Sequence, residues 1–271
     1  MRSALQKLQH HLVESKRIYG MSASLRRSVY IFGVSSVIVL GLLTSFLYIV
    51  EGIELSLEIL FWTLPAIIAF SAFTFANLPL LRDDAGILPE RLQVANMLTA
   101  IRIFLVPVVF ILLIRGRAAI GLTLYVVALI TDIVDGYVAR KLRQSSLMGT
   151  MLDPVGDIML TLALFLFLFL EGAVPLWLFV LLIVRYLQFF VGLALLAVLD
   201  VVPRLKATAA GKIVGVVQAV GILILLADTL FEPLGTLEGF GTYVFIALGV
   251  AFSSVIASQT VIGVRAFKNR A

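Results

Sequence analysis

The chain predicts an all-α polytopic membrane protein of about eight spans, and three observations point there. It is 61% hydrophobic and 14% charged, with a mean hydropathy of +1.11, far from the balance of a soluble domain. Apolar runs long enough for ~30 Å of hydrocarbon recur along it. Lys and Arg gather at alternate ends of those runs. Cysteine is absent, which excludes disulfides, thiolate catalysis and Cys-ligated metal. The net charge of +5 is spread over several loops, which fits membrane topology and not nucleic acid.

Residues 1–27 carry six Lys/Arg against one Glu, with Leu5, Leu8, Leu12 and Val13 at helical spacing. This basic segment lacks the short apolar core of a cleavable signal peptide. It reads as an amphipathic cytoplasmic stretch along an anionic surface or as a frayed tail. Spans are expected at roughly 29–50 and 57–79, joined by an acidic loop with Glu51, Glu54 and Glu58. A polar break, "LRDDAGILPERLQ", ends this two-span extension (28–87) at Gly86 and Pro89. Six further spans make a core over 88–271, at roughly 95–114, 119–140, 153–171, 174–199, 208–230 and 241–264. With both termini cytoplasmic, 18 Lys/Arg lie near cytoplasmic ends, against Arg115 and Arg117 opposite and Arg185 within a span. The two spans contain no Asp, and their only acids, Glu51, Glu54 and Glu58, lie on the far side, so the extension is expected to be dispensable for chemistry.

Four of the eight Asp fall in "TDIVDGYVARKLRQSSLMGTMLDPVGD" (131–157). Asp132 and Asp135 are spaced i, i+3, and Asp153 and Asp157 i, i+4, so each pair shares one helix face. A polar turn, "ARKLRQSSLMGT", would fold the pairs together at the cytoplasmic end. Carboxylates at bilayer depth cost about 2.5–3.5 kcal/mol each, and four together repel. A divalent cation removes both penalties, and oxygen ligands without His or Cys favour Mg²⁺ or Mn²⁺. Gly136 and Gly149 allow close approach to the backbone, and Arg140 suits bidentate phosphate binding. Together these read as a pyrophosphate site for phosphoryl-type chemistry. Surface acids at helix ends, partnered by Arg140, Lys141 and Arg143, are the plainer alternative.

With every gap matched, Asp132, Asp135, Gly136, Ala139, Arg140, Gly149, Asp153 and Asp157 fit D-x2-D-G-x2-A-R-x8-G-x3-D-x3-D. In this the chain resembles the CDP-alcohol phosphatidyltransferase family over roughly residues 88–266. Asn96, Thr99 and Arg102 also match the family's N-x2-T-x2-R opening. The resemblance implies a six-helix core in the plasma (inner) membrane, a cytoplasmic active site, two Mg²⁺ or Mn²⁺ ions, and a homodimer. It implies transfer of a phosphatidyl group from CDP-diacylglycerol to a small alcohol, with CMP released, in phospholipid biosynthesis. Asp132, Asp135 and Asp153 would ligate metal; Asp157 would contact the second metal and act as general base. Asp132, Asn96, Thr99, Arg102, Gly136, Ala139, Arg140 and Gly149 would serve the nucleotide.

In motif detail the chain is most similar to phosphatidylglycerophosphate synthases, whose acceptor is glycerol 3-phosphate. Lys212 and Gln218 fit their G-K-x-K-T-x2-Q pattern, although Val214 and Gly215 replace its second Lys and its Thr. Ile158 stands where a Lys often follows the last Asp, and Tyr186 replaces the Glu of an R-E pair begun by Arg185. Arg185, Arg204, Lys206 and Lys212 would bind a small anionic acceptor. Other acceptors of the same chemistry are inositol phosphate, inositol, serine and phosphatidylglycerol, the last as in cardiolipin synthesis. Rival classes are an intramembrane prenyltransferase, whose Asp motifs usually lie on well-separated helices, and a cation transporter, which Arg140 disfavours. A catalytically dead scaffold is disfavoured by the survival of all four Asp.

Overall fold

The computed structural model describes residues 2–83, 86–141, 146–198, 209–230 and 240–268. Side chains are described for these except at 2–22, 132–133, 135–140, 147, 193–198, 209–212, 240 and 261–268. Among the described residues there are eight α-helices and no strand. They are α1 (Arg2–Glu51), α2 (Ile53–Ala76), α3 (Val94–Ile114), α4 (Ala118–Lys141), α5 (Leu147–Leu170), α6 (Leu176–Val198), α7 (Ala209–Leu230) and α8 (Phe240–Lys268), with a 3-10 turn at Leu78–Leu81. Six of them are long and apolar enough to cross a membrane, and Ala118–Thr131 of α4 and Leu176–Gly192 of α6 are shorter apolar stretches. The protein is therefore an integral membrane protein. Side chains such as Ile49, Phe61 and Val250 face outward, as lipid rather than water as the solvent permits.

Two expected boundaries move. α1 runs unbroken from Arg2 to Glu51, so the basic segment continues the first span's helix. Residues 2–32 contain no Pro and only one Gly, Gly20, so nothing punctuates the helix there. α5 starts at Leu147 rather than near 153, because Ser146 caps it: its Oγ accepts the Gly149 N–H at 3.1 Å. Pro154 consequently lies inside α5 and not at its first turn. Both Gly116 and Gly172 take a positive φ (73° and 74°) just past α3 and α5. Their next residues, Arg117 and Ala173, donate back to Leu112 and Leu168 and close the helix ends.

The chain divides into two compact units, Met1–Leu160 and Thr161–Ala271, with the boundary inside α5. In the first, α1 packs on α2, α2 on α3, and α3 on α4. Phe32, Phe70 and Phe104 tie α1, α2 and α3 together with ring centroids 5.7 to 6.4 Å apart. Arg115 pairs with Glu58 and Glu54, and Arg117 with Glu51, so the α1–α2 and α3–α4 turns are joined by ion pairs. In the second unit α6 and α7 each pack on α8, and Phe165 meets Phe252 at 5.9 Å.

Candidate active site

Three polar residues one turn apart on α3 meet three positions one turn apart on α5. Asn96 comes first: its Nδ2 donates to Ser146 Oγ at 3.1 Å and to Gln93 Oε1 at 3.0 Å. A Cβ on Gly149 would fall 2.7 Å from Asn96 Oδ1, so only glycine admits this approach of the two helices. Thr99 comes second, donating from Oγ1 to Asp153 Oδ1 at 2.6 Å. Arg102 is third, with Nη1 2.9 Å from Asp157 Oδ1. Residue numbers rise together along both helices, so α3 and α5 run in the same direction.

Burial divides the roles. Asn96, Thr99 and Arg102 are each 1% exposed, whereas the Asp157 side chain is 51% exposed. The α3 residues hold the carboxylates from behind, and the acid face stays accessible. A buried guanidinium costs several kcal/mol unless it is paired, and Asp157 supplies one such partner. Hydrogen bonds to charged groups are worth about 1.5–3 kcal/mol, so the Thr99 and Arg102 contacts are strong enough to fix carboxylate orientation. The space in front of Gly149, expected for a ligand, is taken by the Asn96 amide.

Asp132 and Asp135 lie in α4, which packs along α3, followed by Gly136, Ala139 and Arg140 on the same helix. Their side chains lie outside the described residues, as does that of Lys212 in α7; Arg204 and Lys206 lie outside them altogether. Among the described residues no three His, Asp or Glu side chains converge on a metal position.

In the second unit, Arg185 Nη1 donates to Gln218 Oε1. Gln218 Nε2 donates to Thr161 Oγ1 at 2.9 Å and to Tyr186 Oη at 3.2 Å. The guanidinium also lies over Tyr186 and Phe252, 5.3 and 5.1 Å from the ring centroids. Tyr186 thus serves Arg185 and Gln218 where the family pattern has a Glu. Of the departures from that pattern, Ile158, Tyr186 and Val214 are buried and Gly215 is exposed.

Sequence reasoning missed Ser146, Gln93 and Thr161. Ser146 had a signal, since a Ser directly before an apolar helical run is an N-cap candidate. The other two had none, being single polar residues in or beside apolar runs.

The family model for CDP-alcohol phosphatidyltransferases matches residues 92–255, more than half the chain. A putative cardiolipin synthase of Mycobacterium tuberculosis is 36% identical over 95 residues, 35% of this chain and 46% of that protein. A probable cardiolipin synthase (CMP-forming) of Drosophila melanogaster is 35% identical over 88 residues, 32% and 27% of the two chains. A CDP-diacylglycerol–glycerol-3-phosphate 3-phosphatidyltransferase of Cereibacter sphaeroides is 41% identical over 69 residues, 24% and 31%. The matched stretches span less than half of the length of each of these relatives. On the extent of the family match, this chain belongs to the CDP-alcohol phosphatidyltransferase family.

Proposed function

We propose that the protein transfers a phosphatidyl group from CDP-diacylglycerol to the hydroxyl of a small polar alcohol and releases CMP. The observation that carries this reading is the pairing of Asn96, Thr99 and Arg102 with Gly149, Asp153 and Asp157, which orients an accessible acid face from a buried polar backing. The donors on that face are all carboxylate oxygens, a set that fits a hard divalent cation. Asp132, Asp135, Asp153 and Asp157 would hold two Mg²⁺ or Mn²⁺ ions, which when bound neutralise the diphosphate and stabilise its displacement. Gly136, Ala139 and Arg140 border the nucleotide position, with Arg140 on phosphate, while Gly149 serves the contact of α5 with Asn96.

Asp157 takes the acceptor's proton as the alcohol oxygen bonds to the β-phosphorus. The bond from that phosphorus to the CMP oxygen breaks, and CMP leaves. Arg102 and Thr99 keep the two carboxylates of α5 aimed during this step, so they position rather than react. The core from residue 88 onward would carry the chemistry as a homodimer in the plasma membrane, its active site and both termini cytoplasmic.

Glycerol 3-phosphate is the first acceptor on this reading, held by Arg185, Arg204, Lys206 and Lys212. A specific observation supports phosphatidylglycerol as a second: Ile158 and Val214 put buried apolar side chains at polar positions of the phosphatidylglycerophosphate synthase pattern. The test is CMP release by the reconstituted protein with CDP-diacylglycerol and Mn²⁺ against a panel of acceptors. Turnover with glycerol 3-phosphate supports the first reading, and turnover with phosphatidylglycerol alone supports the second. No CMP release with any alcohol overturns the proposed reaction.

A further inference from the structure

The two-span extension reaches the acid-bearing helix, although its sequence holds none of the acids. Leu25 and Val29 of α1 are 0% and 2% exposed, and they share a cluster with Leu78, Leu81, Leu92 and Met148. Phe32 and Leu152 pack against the same cluster. Positions 25, 28, 29 and 32 form one helical stripe on α1. Met148 immediately precedes Gly149, and Leu152 immediately precedes Asp153. The stripe therefore supports the first two turns of α5 on a side adjacent to the acids.

The same stretch of α1 also fixes the start of α3. Ser28 Oγ accepts the Leu92 N–H at 3.0 Å, and Ser24 Oγ donates to the Glu90 carbonyl at 2.5 Å. Leu92 lies just ahead of Gln93 and Asn96, where the α3–α5 pairing begins. Both partners of that pairing are thus braced by one face of α1.

We propose that α1 is a positioning element of the active site, with Ser24 and Ser28 setting the placement of Asn96 and Thr99, and Leu25, Val29 and Phe32 that of Gly149 and Asp153. This rests on the reading of Asp153 as a metal ligand. It reverses the expectation that the extension is dispensable for chemistry. Groups that hold a metal ligand typically change metal affinity by about 10–100-fold when removed; α1 acts one step further out, so the low end of that range is expected.

The experiment uses the full-length protein in lipid nanodiscs and reads Mn²⁺ affinity from the free-ion electron paramagnetic resonance signal, alongside thermal unfolding. The double variant Ser24→Ala/Ser28→Ala should weaken Mn²⁺ binding by about tenfold, and Ser28→Thr, which keeps the hydroxyl, should bind as wild type. Glu58→Gln loosens the same extension at its other end and should leave Mn²⁺ affinity unchanged. Val29→Ala, read on folded protein, provides the same test through the apolar stripe. Wild-type Mn²⁺ affinity in both the double variant and Val29→Ala overturns the inference, as does an equal loss in Glu58→Gln. Asp153→Asn separates the two readings. If it binds Mn²⁺ normally, the site assignment itself fails; if it alone loses the ion, only the role of α1 fails.

Discussion

Asp157 accepts a hydrogen bond from buried Arg102 while half of its side chain stays exposed. Asparagine keeps its size and an oxygen for Arg102 but cannot take up a proton. Asp157→Asn should therefore fold, bind CDP-diacylglycerol and lose about 10²–10⁴-fold in kcat, the span typical of a general base. Wild-type turnover would remove Asp157 from that role. Gly149 makes a second, sharper case. An alanine Cβ would sit 2.7 Å from Asn96 Oδ1, and that amide is itself held by Gln93 and Ser146. Gly149→Ala should lower thermal stability, and adding Asn96→Ala should cost less than the sum of the single changes. Strict additivity in that double-mutant cycle would show that the two do not touch. Both acid spacings were legible in the sequence, because i, i+3 and i, i+4 are local facts. The partner of Gly149 was not legible: Asn96 is 53 residues away, and only the approach of α3 to α5 brings it there.

Most helices were legible as elements, since their apolar runs are long and bounded by charge or glycine. The start of α5 was not, because polar "SSLMGT" looks like a turn until the Ser146 cap is recognised. The unbroken α1 escaped for the opposite reason: its composition changes near residue 28 while its helix does not. Arg185 was legible as a charge inside an apolar span, but its neighbours on α7 and α8 were not. Held by Gln218 and lying over Tyr186 and Phe252, it is poised as a donor rather than as a loose charge. On the acceptor reading, Arg185→Ala should reduce turnover with glycerol 3-phosphate by about 10- to 100-fold, the equivalent of ~1.5–3 kcal/mol for a hydrogen bond to a charged group. Unchanged turnover with that acceptor would detach Arg185 from it.

At the scale of the whole molecule, charge distribution sets the expected orientation: 18 Lys/Arg near cytoplasmic ends against Arg115 and Arg117 opposite. A reporter fused after Ala271 should be cytoplasmic, and a cysteine introduced at Gly116 should react with an impermeant reagent added outside. Labelling only after lysis would invert the topology. Depth within the bilayer is governed by a different feature, the pairing of α3 with α5. Its rungs fall every three residues on α3, about 4.5 Å, but every four on α5, about 6 Å. By the third rung the two scales have drifted roughly 3 Å apart. Side-chain reach rises to match, from Asn96 against bare backbone to the long guanidinium arm of Arg102. Two rulers with unequal divisions coincide fully at a single setting, as in a vernier. Sliding α5 by one turn would break all three rungs at once, so the height of the carboxylates is locked to that of α3.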